Sequence, residues 1–365
     1  MKAAIISLGS KSSEWTAEAM RKYFDEVDML NIKHIEINFS GDTAEVLYEG
    51  EHMKAYDCVY AKGSFKYGPL LRSITSILGN VCYMPIVSDA FTTVNDKLLT
   101  QLELQKHNIP MPRTYLASTV DEAKKILDKI NYPIIMKLPQ GTHGKGVMIA
   151  DTKASATSML DALSALKQPF IIQEFVETST DMKESANDIR AIVVGNKVVA
   201  AMRRKSTSED VRANYHSGAE VEAIPLDTYT EKLAIKVAKA IGAEIAGVDI
   251  LEGAKGPMII EANVSPGLQG ITEATKIDVA DKIAKYLYTR TKERTDLGKK
   301  KEHTEIMSTI NQGSGKQKYI SNLDFRGVRI LLPELVTKLT GFEDSDDVEI
   351  TAEDGKLSIK KLNIK

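Results

Sequence analysis

The run GVDILEGAKGPMIIEANVSPG at 247–267 constrains the fold of this chain most. Two apolar segments flank a turn bounded by Gly253 and Gly256, which predicts a β-hairpin. Asp249, Glu261 and Asn263 interrupt this apolar setting. Glu261 and Asn263 are two apart, so on a strand they share a face, and a hairpin centred on the turn brings Asp249 beside them. Two carboxylates and an amide oxygen gathered among apolar residues repel one another unless a cation sits there. Hard oxygen ligands of this kind suit Mg²⁺ or Mn²⁺. The same carboxylates would also serve as water-facing charges on an edge strand, and the segment by itself leaves both readings open.

The chain has 365 residues, enough for two or three domains with full cores. Its net charge of −2 offers no electrostatic reason to expect nucleic acid or a membrane surface as the main partner. Cys58 and Cys82 are the only cysteines, too few for a disulfide framework or a zinc site, which fits a reduced compartment. No signal-peptide core opens the sequence and no apolar run is long enough to span a bilayer. The expected location is cytoplasmic.

Taken in order, residues 2–8 read as a buried strand, followed by a helix through about Phe24. Strands are expected at 35–39, 44–48 and 58–61, giving a βαβ-like domain over 1–95. No GxGxxG follows the first strand, so no dinucleotide site is predicted there. Residues 62–67 read either as a substrate wall or as a plain loop. A helix starts near Asn95 and ends before Pro110. A second helix, at 120–130, precedes an apolar strand that ends in Lys137. The loop after it carries Gly141, Gly144 and Gly146, whose backbone N–H groups suit anionic oxygens, although GxxxxGK[ST] is absent. One ammonium and a ring of amides match the needs of a triphosphate. Residues 170–177 form a strand running into a connector. Hairpin strands at 188–194 and 197–202 turn about Gly195-Asn196, and helices at 229–241 and 277–288 flank the opening stretch. A charged linker is expected over 289–318 and a small β-rich module over 319–365.

Several motifs occur together: DKL at Asp96, KLPQGTHGKGV at Lys137, QEFVE at Gln173, DIRAIVVG at Asp188, RANYHSG at Arg212, AGVDIL at Ala246 and EANVSPGLQGI at Glu261. In this order and spacing they resemble the ATP-grasp ligases of the RimK type, the α-L-glutamate ligases. The resemblance covers about 1–288 and is weaker before Asn95. It implies an α/β (α+β) ATP-grasp fold: a pre-ATP-grasp domain at 1–95, then an ATP-grasp domain at 96–288. It further implies that ATP phosphorylates a carboxylate and that an amine attacks the acyl phosphate, leaving an amide, ADP and phosphate.

By the same resemblance Lys97 and Lys137 contact the phosphates under the 141–146 loop. Glu174, Phe175, Val176 and Glu177 hold the adenine, with Asp188 on the ribose side. Arg212 and Asn214 face the phosphoryl group or the substrate carboxylate. Asp249, Glu261 and Asn263 hold two Mg²⁺ or Mn²⁺ ions. His143, in the loop, is read as incidental. Phosphoryl transfer asks for charge neutralisation and alignment more than for a covalent nucleophile. Arg190, Arg203 and Arg204 suit bidentate clamping of substrate carboxylates, while Arg203 or Arg204 would equally serve a surface ion pair. The amino acid expected from the resemblance is glutamate, added to a protein, carrier-protein or coenzyme acceptor.

The tail departs from the plain family pattern. It is weakly similar to AbrB-type swapped-hairpin domains, some of which bind DNA, so a nucleotide-binding regulator or nucleic-acid-binding protein is the alternative. From Tyr319 onward nine acidic residues stand against seven basic ones, which gives phosphates little attraction. A joining role between subunits, making a homo-oligomer, is expected instead.

Overall fold

The computed structural model describes residues 1–41, 43–139, 146–178, 187–205, 220–310, 324–326, 329–331, 336, 340–343 and 346–362. They fall into two compact units, 1–295 and 296–365.

The first unit opens with β1 (Lys2–Ser7), α1 (Lys11–Met20) and β2 (Glu26–Asn31). The strands β3 (Ile35–Ser40), β4 (Thr43–Tyr48), β5 (Glu51–His52) and β6 (Cys58–Ala61) follow, then the helices α2 (Gly68–Leu78) and α3 (Ala90–Thr93). A parallel sheet of order β2-β1-β6 is covered on both faces, so the KAAIIS strand is buried from Ala3 to Ser7. The segment expected to be its second strand, at 35–39, belongs instead to a separate antiparallel sheet, β3-β4-β5. The parallel neighbour is β2, whose EVDMLN sequence mixes charge into the strand because most of it is only half-buried.

The next elements are α4 (Lys97–Lys106), β7 (Thr114–Tyr115), α5 (Val120–Leu127), β8 (Ile134–Lys137), β9 (Val147–Ala150), α6 (Lys153–Ala165) and β10 (Ile171–Glu174). Thr119 caps α5 through Glu122 N, and Thr152 with Ser155 forms a capping box on α6. The two helices cover the antiparallel sheet β7-β10-β8-β9 and close a core of their own around Leu127, Ile134, Met136, Leu160 and Ile172.

The remaining elements of this unit are β11 (Asn187–Val194), β12 (Lys197–Lys205), β13 (Glu220–Ala223), α7 (Thr228–Ala240), β14 (Ile245–Gly253), β15 (Gly256–Asn263), α8 (Gln269–Thr275) and the start of α9 (Val279–Ile310). The sheet runs β13-β12-β11-β14-β15, antiparallel throughout. Its apolar face joins the core of the parallel sheet. The helix expected to end at Tyr288 runs on to Ile310, through much of the stretch expected to be a linker. Its Lys, Glu and Arg residues are good helix formers, and the Arg290–Glu293 pair at 2.6 Å adds support on its exposed side. In the second unit two hairpins are described, β16 (Asp324–Arg326) with β17 (Arg329–Leu331) and β18 (Val348–Glu353) with β19 (Lys356–Lys361).

Candidate active site

The β14–β15 hairpin pairs Gly253 with Gly256, Leu251 with Met258 and Ile250 with Ile259. Continued regularly, that ladder would set Asp249 against Ile260 and turn Glu261 to the other face. A bulge intervenes, so Asp249 pairs with Glu261 and Gly247 with Asn263. The extra residue therefore puts both carboxylates and the amide on one face. Arg190 of β11 pairs with Asp249 from the opposite side, and Asp188 pairs with Arg204 of β12.

These side chains form a charge-balanced interior network. Arg190 grips Asp249 with two hydrogen bonds, Nε to Oδ1 at 2.7 Å and Nη2 to Oδ2 at 2.6 Å. Arg204 is only 2% exposed; it holds Asp188 by the same two-pronged geometry and reaches Asp249 Oδ2 at 3.0 Å. Burial alone would raise the Asp249 carboxyl, but the charges of Arg190 and Arg204 outweigh it and hold it at about 2. Burial lifts Asp188 above the ordinary carboxyl range despite Arg204. For Arg204 the two aspartate charges outweigh burial and raise its pKa further.

Glu261 differs from its neighbours. It takes no hydrogen bond or ion pair from any described residue, although it retains solvent access. Crowding by protein and the Asp249 charge raise its carboxyl, against the pull of Lys97, Arg190 and Lys137. Asn263 Oδ1 accepts the Ser265 N–H at 2.7 Å, which aims the amide oxygen along the same edge. Among the described residues no group of three or more His, Cys, Asp or Glu side chains is gathered for a metal. A cation here would therefore draw on Glu261, Asp249 and the Asn263 oxygen, with phosphate oxygens or water completing its shell. The unpartnered carboxylate and the all-oxygen donor set fit Mg²⁺ or Mn²⁺.

The residues expected to meet ATP lie on and beside the β7-β10-β8-β9 sheet. Lys137 ends β8 and donates to Gln173 Oε1 at 2.6 Å, while Gln173 Nε2 donates to Thr114 Oγ1 at 2.9 Å. Burial pushes the Lys137 ammonium down to about 8. Asp96 caps α4 by accepting from Leu98 N and Leu99 N. Lys97 follows it, and its N–H donates to Pro139 O at 3.1 Å, tying the helix start to the loop after β8. The loop base is closed by Leu138 N to Gly146 O, with Gly146 at φ +80. Glu174 N donates to Arg113 O, and the Glu174 carboxylate lies 3.5 Å from the Tyr115 hydroxyl. Phe175 and Val176 are half-buried and Glu177 is exposed on the connector. A Cβ at Gly253 would lie 2.7 Å from Val176 Cγ1, so this connector rests on the turn of the β14–β15 hairpin.

Gathered on the one sheet face are Asp188, Arg190, Arg204, Asp249, Glu261 and Asn263. Arg203 is not among them: it points to the opposite face and pairs with Glu252 at 2.8 Å. Arg190 and Arg204, expected as substrate clamps, are engaged with aspartates. Gly141, Gly144, His143, Arg212 and Asn214 lie outside the described residues. Gln173 was legible as part of QEFVE, but its bond to Lys137 follows only from the pairing of β10 with β8.

Residues 94–287 match the RimK-like ATP-grasp domain. The chain is 34% identical over 294 residues to a probable alpha-L-glutamate ligase of Vibrio cholerae serotype O1, covering 79% of this chain and 95% of the relative. A second relative of the same description, from Halorhodospira halophila, is 32% identical over 293 residues with the same two shares. Among solved structures, the ATP-grasp ligase PsnB with minimal precursor, Mg and ADP aligns with a TM-score of 0.62 at 16% identity, over 80% of this chain and 98% of that one. A RimK domain ATP-grasp protein from Sphaerobacter thermophilus aligns at 0.59 and 15% identity, over 78% and 99%. At these identities the two structures speak to the fold alone. With the family match spanning both sheets and the full-length relatives agreeing, the chain belongs to the RimK-like ATP-grasp family and is an ATP-dependent ligase.

Proposed function

We propose that the chain adds L-glutamate to a protein, carrier-protein or coenzyme acceptor through an acyl phosphate, releasing ADP and phosphate. The observation that carries this reading is Glu261, an unpartnered carboxylate directly across from Asp249 and flanked by the charges of Lys97 and Lys137. Bound Mg²⁺ or Mn²⁺, two ions in this reading, would neutralise phosphate charge and align the transferred group. Asp249, Glu261 and Asn263 would hold it. Lys137, fixed by Gln173, would neutralise phosphate oxygens, with Lys97 beside the entry to the glycine loop. Gly141, Gly144 and Gly146 would close over the phosphates, and the 174–177 connector would hold the adenine. Arg212 and Asn214 would meet the phosphoryl group or the carboxylate being activated. Arg190 and Arg204 keep Asp249 ionised and aimed, a positioning role in place of a substrate clamp.

Glutamate is supported by the names of the curated relatives. Incubating the protein with ATP, Mg²⁺ and a cell extract, then reading added glutamyl units by mass spectrometry, tests the reading. An added residue other than glutamate, or ATP consumed with no product, would overturn it.

A further inference from the structure

Lys62 follows β6 at the carboxyl edge of the parallel sheet. It is 4% exposed, and its ammonium makes no hydrogen bond or ion pair with any described residue. It lies 5.5 Å from the ring of Tyr60, on the same face two residues earlier. The Tyr60 hydroxyl is itself buried without a hydrogen-bond partner. Two buried polar groups, two residues apart, thus find no hydrogen-bond partner among the described residues. A buried ammonium with no counter-charge is costly to maintain, and burial alone lowers its pKa to about 8.

The place is one where ligands are met. In open α/β sheets ligands bind beyond the carboxyl ends of the strands. Lys62 N donates to Ile6 O of β1, so it borders the loop that leads into α1. Cys58, on the same strand face, lies beside Thr291 of α9, whereas a Cβ at Gly63 would face Leu71 of α2. The next residues connect this edge to the metal-ligand strand. Gly63 N donates to Ser265 Oγ at 3.0 Å, Ser265 N donates to Asn263 Oδ1, and Leu268 N donates to Ser12 Oγ of α1. The segment 263–268 thereby runs from the ligand Asn263 to the strand end that carries Lys62.

We propose that Lys62 is the residue that receives a carboxylate of the incoming amino acid, supplying a counter-charge that no described residue gives its ammonium. This rests on the ligase reading above but not on the identity of the amino acid. The test titrates the full chain, saturated with AMP-PNP and Mg²⁺, with each of the twenty amino acids by calorimetry. Lys62→Met, Lys62→Gln and Lys62→Arg are then compared with the best binder. The expected result is a loss of about tenfold or more for Met and Gln, near-recovery for Arg, and unchanged AMP-PNP affinity. Replacing an unpaired buried ammonium with an apolar isostere should leave Tm unchanged or higher. If the best binder is not glutamate, the glutamate reading falls while the role of Lys62 is still measured. Retained affinity in Lys62→Met, equal loss of AMP-PNP affinity, no amino acid bound by the unmodified chain, or failure of both neutral variants to fold would each overturn the proposal.

Discussion

Arg204 carries two aspartates in the interior, while Arg203, one residue earlier, meets Glu252 where water reaches both. The same side-chain chemistry should therefore have different energetics at adjacent positions. Arg204→Met leaves Asp188 and Asp249 without their shared counter-charge, and should cost about 3–5 kcal/mol of stability. Arg203→Met should cost about 0–1 kcal/mol, because solvent screens an exposed pair. Chemical denaturation of the two variants checks this, and equal losses would show that the interior network is not what holds the sheet face. Glu261→Gln tests the other side of the cluster. Crowding by protein and the Asp249 charge disfavour its carboxylate while the residue itself stays exposed to water, so the amide should leave Tm nearly unchanged. ATP turnover should disappear with the lost ligand. Normal turnover in this variant would remove Glu261 from the metal site.

Among the elements, the β14–β15 hairpin shows both what its sequence reveals and what it hides. Its strands, its turn and the three polar residues follow from the alternation of GVDILEGAKGPMIIEAN. That Asp249 stands opposite Glu261 does not follow from a regular ladder, because the bulge beside Asp249 changes which residue of β15 opposes it. Local pattern carries no signal for one extra residue in a ladder. The partners of Asp249 were hidden for a related reason: Arg190 and Arg204 are distant in sequence and meet it only through strand pairing. Conversely β2 was missed because a half-buried strand with charges at Glu26 and Asp28 lacks a clean apolar run. The strand that ends in Lys137 was legible, since an apolar run closed by a lysine is a local feature, whereas Gly141 and Gly144 lie outside the described residues. The contact between Gly253 and Val176 yields an element-scale prediction. Gly253→Ala adds a methyl where Val176 already sits at 2.7 Å, and a β-branched side chain has few rotamers to escape into. Stability should fall by about 1–2 kcal/mol and ATP affinity by several-fold, through displacement of the 174–177 connector. Turnover at saturating ATP should persist. Unchanged ATP affinity alongside the stability loss would mean the connector does not hold the nucleotide.

At the scale of the whole molecule, the second unit poses a problem of exposed surface. In the β18–β19 hairpin Ile350 pairs with Ile359 and Ala352 with Leu357, which puts these apolar residues on one face. Ile350 is 62% exposed and Leu357 51% exposed. A lone two-stranded hairpin is marginal in water, and a unit of this size buries too little surface to be secure alone. Pairing with a second copy covers such a face symmetrically. Its near-balanced charge does not favour duplex DNA as the cover. We therefore expect the tail to join subunits while the ATP-grasp sheets act within each chain. A chain ending at Lys318 keeps every element of the first unit and all of α9. By light scattering it should show a lower oligomeric order than the full chain, with ATP affinity unchanged by calorimetry. An unchanged order would show that the tail is not the assembly element. A salt-sensitive shift of duplex DNA by the full chain alone would show that the exposed face serves nucleic acid instead.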